Sequence, residues 1–208
     1  MQKDIAELLD NWTKRNIEGI YLPGKGDVYA KLSGLIPVSA TVGFSGSQTL
    51  EELGLIKLLQ DRGNRVFDPY KPGLTRQESM ELRKQGAEAD YYLASANAIA
   101  RTGELVFFSA FGQRIAGLAS AGHVIIIAGI NKITDNLPLA LERARQYVTP
   151  LNCKRLDWPS PCRADGKCRQ EICFYPEYKR MCCQTLIIEA ELVLGRLKVI
   201  LVGESLGF

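Results

Sequence analysis

The chain has 208 residues, with 46% hydrophobic and 24% charged residues and a formal charge of +3. That is enough apolar material for one packed domain, and it excludes a wholly disordered chain or a coiled coil. The longest apolar run, Val124 to Ala128, is too short to cross a bilayer, Met1 to Trp12 lacks the pattern of a signal peptide, and no basic run marks a nucleic-acid reader. The expectations are therefore a cytoplasmic location, no membrane span and no nucleic-acid partner.

In chain order, Ile5, Leu8, Leu9 and Trp12 share one helical face, and a second short helix over Val28 to Leu35 ends before Pro37. Val38 to Gly43 reads as a strand, followed by the loop Phe44 to Gln48. Thr49 with Glu52 forms a capping-box pattern for a helix with Leu53, Ile56 and Leu59 inward and Gly63 at its end. Arg65 to Phe67 is the next strand, and Thr75 with Glu78 repeats the capping box for a helix to about Gly86.

Further strands are expected at Tyr91 to Ala94 and Leu105 to Phe108, then a helix within Ile115 to Ala121. His123 to Ala128 is the strongest strand: four consecutive branched residues between two glycines fit a strand buried on both faces. A helix over Leu137 to Tyr147 follows, starting near Thr134 or Asp135, and Thr185 to Ile188 and Val199 to Val202 close the chain as strands. This alternation predicts an α/β fold with a central, largely parallel sheet.

Four constellations could carry chemistry. Gly46, Ser47 and Thr49 lie where a strand end meets a helix start, which offers free N–H groups to a phosphate or carboxylate. An ordinary βα loop explains the same residues. Asn97, Glu104 and Arg114 either gather at a sheet edge around a ligand or belong to hairpin turns, with Thr102-Gly103 as one turn. Asn131 and Lys132 follow the best strand, where open parallel sheets bind ligands, or they form an exposed loop.

The fourth is the cysteine segment, 150–184. All six cysteines lie there, at Cys153, Cys162, Cys168, Cys173, Cys182 and Cys183, among prolines and glycines that predict a knuckle of turns. The single histidine, His123, removes any site built on two imidazoles. Disulfides would require an oxidising compartment. Tetrahedral zinc is possible without the paired Cys-x2-Cys spacing of ribbons. An iron–sulfur cluster, which accepts irregular spacing, is equally compatible, and structural thiols are the remaining alternative. The natural ligands are Cys162, Cys168, Cys173 and one of Cys182 and Cys183. Cys153, soon after Pro150, is the least suited.

Taken together, Gly46 to Gly54, Ser95 to Ile99, Gly112-Gln113-Arg114, Gly129 to Ile133 and Val202 to Gly207 resemble the motifs of the LUD domain, of the lactate-utilisation protein C type. The resemblance spans the whole chain, 1–208, as one domain with 150–184 as a cysteine-bearing segment within it. Pro161 to Cys168 is similar to an insertion of some anaerobe members, with Asp165-Gly166 in place of their Thr-Gly. The resemblance implies a Rossmann-like three-layer sandwich of the ribose-phosphate isomerase and CoA-transferase type. Its implied role is accessory or electron-transfer work beside iron–sulfur partner proteins in oxidation of a small 2-hydroxy acid. A small anionic metabolite would be the ligand, and a homodimer is the expected assembly.

One departure from the family pattern is Thr102, where members commonly carry an acid, so that Arg101 and Glu104 would have to substitute. The alternatives are a transferase or ligase with Glu52 or Glu104 as nucleophile or base and a structural zinc, or a non-catalytic interaction module.

Overall fold

A computed structural model describes residues 2–208. Six strands form a wholly parallel sheet: β1 (Glu18–Leu22), β2 (Thr41–Phe44), β3 (Arg65–Phe67), β4 (Tyr91–Ala94), β7 (His123–Gly129) and β10 (Leu197–Val202), in the order β1-β10-β7-β4-β2-β3. Four more, β5 (Ala98–Ala100), β6 (Leu105–Ser109), β8 (Ile133–Thr134) and β9 (Gln184–Ile188), form a smaller mixed sheet in the order β8-β5-β6-β9.

The period of two along the central strands explains the layering. Val124, Ile126 and Ala128 enter one core with Trp12, Leu118 and the β5–β6 residues Ile99, Leu105 and Phe107. Ile125 and Ile127 enter the opposite core with Leu32, Leu50 and Leu59. The helices α2 (Val28–Leu35), α3 (Gln48–Glu52) and α4 (Leu55–Asp61) cover that second face. The first face is covered by α1 (Gln2–Lys14), α5 (Arg76–Ala87), α6 (Gln113–Ser120) and the smaller sheet. The far side of the smaller sheet, at Ala98, Ala100, Val106 and Phe108, packs on Ala140 of α7 (Leu137–Arg143) and on Ala144.

Several expectations change in detail. β1 has no clear sequence pattern, because an edge strand half open to solvent needs no alternation. β2 begins at Thr41, later than the predicted Val38, because 37–40 turn: Ala40 N–H donates to Pro37 O, and Asn64 Nδ2 donates to the carbonyls of Pro37, Val38 and Ala40. The capping box at Thr75 and Glu78 has both of its hydrogen bonds, but the one at Thr49 and Glu52 does not form. Ser47 is the cap residue there, and α3 stops after five residues because Gly54 turns left-handed (φ 60°) and starts α4. The strands at 105–109 and 184–188 join the smaller sheet rather than the central one.

Gly43 marks the tightest approach in the scaffold. A Cβ there would lie 2.0 Å from Gly86 O, so α5 rests directly on the backbone of β2.

The helix predicted to end at Tyr147 runs on. A π-helical turn at 144–148 leads into α8 (Thr149–Arg155), which carries Cys153. The segment expected to be turns alone therefore begins in a helix, and Cys162 lies in the short helix α9 (Cys162–Asp165). No helix of the described residues is long and apolar enough to cross a membrane.

Candidate functional site

All six central strands end at the same edge, so the loops after β2, β4, β7 and β10 converge. The chain leaves β2 toward α3 and α4 on one face and leaves β4 toward the smaller sheet on the other. Such a divergence opens a crevice between the two strand tips. Gly46 and Ser47 form one lip, Asn97 the other, and Arg114 on α6 lies across them.

Arg114 is the centre of this arrangement. One guanidinium nitrogen donates to Asn97 Oδ1 (3.0 Å) and to Phe108 O (3.1 Å), the other to Gly46 O. Burial lowers its pKa from a value so high that the group stays charged. No carboxylate among the described residues pairs with it. This half-buried cation at the lining of the cleft is held by three neutral acceptors and has no carboxylate counter-ion among the described residues.

Thr49, Asn131 and Lys132 lie behind this lip and do not line the cleft. Asn131 Oδ1 accepts from Leu206 N–H and its Nδ2 donates to Gly207 O. Thr49 Oγ1 donates to Leu206 O, and Glu52 Oε2 accepts from Gly207 N–H. The predicted helix-cap role of Glu52 is thus replaced by a clamp on the segment after β10. Lys132 is buried, with Nζ donating to Ser95 Oγ (3.1 Å) and Ala96 O (3.2 Å). Burial first, then the charges of Arg143 and Arg114, push its pKa down to about 7, while Glu52 opposes the shift.

Glu104 does not join this group. It sits at the β5–β6 turn, at the opposite end of β6 from the cleft residue Ser109, where it pairs with Arg15 (2.7 Å) and accepts from Thr102 Oγ1. The hairpin explanation holds for Thr102-Gly103, with Gly103 at φ 111°. Arg101 is likewise engaged elsewhere, with Asp4 and Asp135.

Sequence reasoning missed Arg143, whose two terminal nitrogens donate to Asn97 O (2.8 Å) and Asn131 O (3.0 Å) and so tie two strand-tip loops to α7. A lone arginine in a helix gives no sequence signal for such a bridge.

The cleft has a volume of about 1460 Å3. Its second wall comes from the cysteine segment, with Trp158, Lys179, Arg180 and Cys183 among the lining residues. Behind that wall lies a small cavity of about 20 Å3 lined by Cys153, Cys162, Cys168, Cys173 and Cys182. Cys183 is exposed and faces the cleft instead, with Sγ donating to Arg180 O. Cys153 does reach the cavity, because the extended helix carries it inward.

The electrostatics of the cavity are cationic. Arg145 and Arg180 line it, with Arg169 already paired to Asp165; Arg180 Nε donates to Cys182 Sγ (3.4 Å), and Arg145 Nε is buried without a hydrogen-bond partner. The hydrogen bond from the Cys153 thiol, with the one from Ser160, lowers the Cys162 pKa, and the same bond raises that of Cys153. Burial raises the pKa of Cys168 and Cys173. All six thiols are free, and among the described residues no three His, Cys, Asp or Glu side chains are already gathered as a metal-ligand set.

The LUD-domain family model matches residues 5–202. No curated protein matches the chain. Among solved structures, a crystal structure of a DUF162 family protein from Deinococcus radiodurans is similar, with a TM-score of 0.53 over 97% of this chain and 98% of that one at 13% identity. That likeness shows the fold: an α/β sandwich around a parallel sheet. With a family model covering nearly the whole length and the matching fold, the chain belongs to the LUD-domain family, a family associated with lactate utilisation.

Proposed function

We propose that this protein is an accessory, electron-transferring member of a system that oxidises a small 2-hydroxy acid. It would bind an anion at Arg114 and hold a metal centre on thiolates of the cysteine segment. The observation that carries the reading is the cationic cavity: five cysteines line one space together with a buried, unpartnered guanidinium nitrogen of Arg145. Thiolate-bound centres are anionic, and a guanidinium with one buried, idle N–H donor supports such a centre.

The ligands in this reading are Cys162, Cys168, Cys173 and Cys182. Cys183 is left out because it faces the cleft, and Cys153 supports Cys162 through their hydrogen bond. An iron–sulfur cluster there would carry single electrons. A second reading, a structural zinc, is favoured by the size of the cavity, since about 20 Å3 holds little more than one water-sized occupant. The small acid would place its carboxylate against Arg114, Asn97 and the Gly46-Ser47 lip. The transferase alternative loses support, because Glu52 is engaged with Gly207 and Glu104 lies away from the cleft.

Anaerobic purification with iron, sulfide and zinc quantified on one sample is the test. Iron with matching sulfide and visible absorption is expected in the natural chain and in Cys183→Ser, and is lost in Cys182→Ser. Zinc alone would leave a structural centre and remove the electron role, and a colourless, metal-free protein would remove both.

A further inference from the structure

The cleft is much larger than a three-carbon acid requires. Pockets that enclose whole drug-sized ligands span about 300–1,000 Å3, and this one reaches about 1460 Å3. Its charge is also in excess. Two of its cations are neutralised locally, Lys57 by Asp61 and Arg155 by Glu51. Arg76, Arg83, Arg114, Lys179 and Arg180 line the same cleft with no carboxylate partner among the described residues, against one further lining carboxylate, Asp68, whose Oδ1 accepts from Tyr70 N–H. One carboxylate satisfies one such cation. A net excess of four positive charges spread over both walls matches a ligand with several anionic oxygens.

An aromatic surface adjoins these cations. Phe111, between β6 and α6, is 58% exposed within the cleft and meets Trp158 of the opposite wall edge-on, with centroids 5.8 Å apart. Tyr70, at the α5 side, lies under the Arg83 guanidinium, 4.8 Å from ring centroid to carbon. An exposed phenylalanine three residues from a half-buried arginine without a carboxylate partner offers a stacking face beside an anion anchor.

We infer that the cleft binds a phosphorylated planar-ring ligand of nucleotide size, with its phosphates on Arg114 and the unpaired cations and its ring against Phe111 and Trp158. The inference rests on the reading of Arg114 as an anion anchor and extends it to a ligand class. Purine nucleotides and flavin mononucleotide share this chemistry, so the probes are ADP, flavin mononucleotide, inorganic phosphate and lactate, each titrated calorimetrically into the full chain.

The expected result is that ADP or flavin mononucleotide binds at least about tenfold more tightly than inorganic phosphate, a gain of roughly 1.4 kcal/mol. Whichever of the two is tighter identifies the ring. Phe111→Ala, at an exposed position, is expected to remove that advantage while leaving phosphate affinity unchanged, and Trp158→Ala to reduce it. Ring ligands no tighter than phosphate, or an advantage that survives Phe111→Ala, would overturn the inference while phosphate or lactate binding kept the Arg114 anchor intact. Failure of all four probes would remove the anchor as well.

Discussion

Lys132 shows how one buried side chain ties sequence position to measurable behaviour. Its position after the strongest strand makes it a candidate ligand residue, yet its ammonium points into the protein toward Ser95 and Ala96. The group titrates near 10.5 when unfolded and at about 7 in the fold. Between these values the unfolded chain binds more protons, so stability rises with pH across that window and levels off below it, by up to roughly 1.4 kcal/mol per pH unit. Urea midpoints at pH 7 and pH 9.5 should therefore rise in the natural chain. Lys132→Met should lose most of that rise, although Ser95 Oγ and Ala96 O then lack a donor at a cost of about 1–3 kcal/mol. Equal pH dependence in the two proteins would show that Lys132 keeps its proton.

At the scale of elements, the close contacts of α5 and the extension of α7 decide what the site looks like. Gly43 and Gly86 let α5 touch β2, and β2 supplies the lip of the cleft. Gly43→Ala places a methyl 2.0 Å from a backbone oxygen that cannot swing aside. The expected loss is about 3 kcal/mol or more, read as a lowered chemical-unfolding midpoint. A neutral result would mean that α5 shifts freely. The capping box of α5 was legible because its two partners are three residues apart. The failed one at Thr49 was not, because its threonine and glutamate are recruited by Leu206 and Gly207, about 155 positions away in the chain. Local patterns report local hydrogen bonds only where nothing distant competes.

For the whole molecule, the cysteine segment is joined to the sandwich rather than built into its main cores. The two large cores contain none of its cysteines, and only Cys182 enters the third. Residues 166–181 hold one short 3₁₀ turn and expose Phe174 and Tyr175. Replacing Cys162, Cys168, Cys173 and Cys182 by Ser should leave the far-ultraviolet circular dichroism nearly unchanged. Limited proteolysis should then cut first within 166–181, where metal-loaded protein resists. Early cleavage within the central sheet would show instead that the segment supports the core.

The sequence alone determined the class of fold and most of the strands, because a strand buried on both faces must be apolar at every position and a helix stripe must recur with its turn. It also determined that the cysteines cluster in one region and that Gly46, Ser47, Asn97 and Arg114 are worth attention. Tertiary structure decided which of these meet. Arg114, Asn97 and Gly46 come together because the connections after β2 and β4 leave one edge of the central sheet and the connection from β6 to α6 returns to it, whereas Glu104 is carried off by the direction of a five-residue strand. It likewise divided Cys182 from Cys183 and brought Cys153 inward, since adjacent side chains diverge and a helix continued by two turns reorients what it carries. Spacing along a chain constrains neighbours in sequence; the direction of a side chain is fixed only by the packing of the element that bears it.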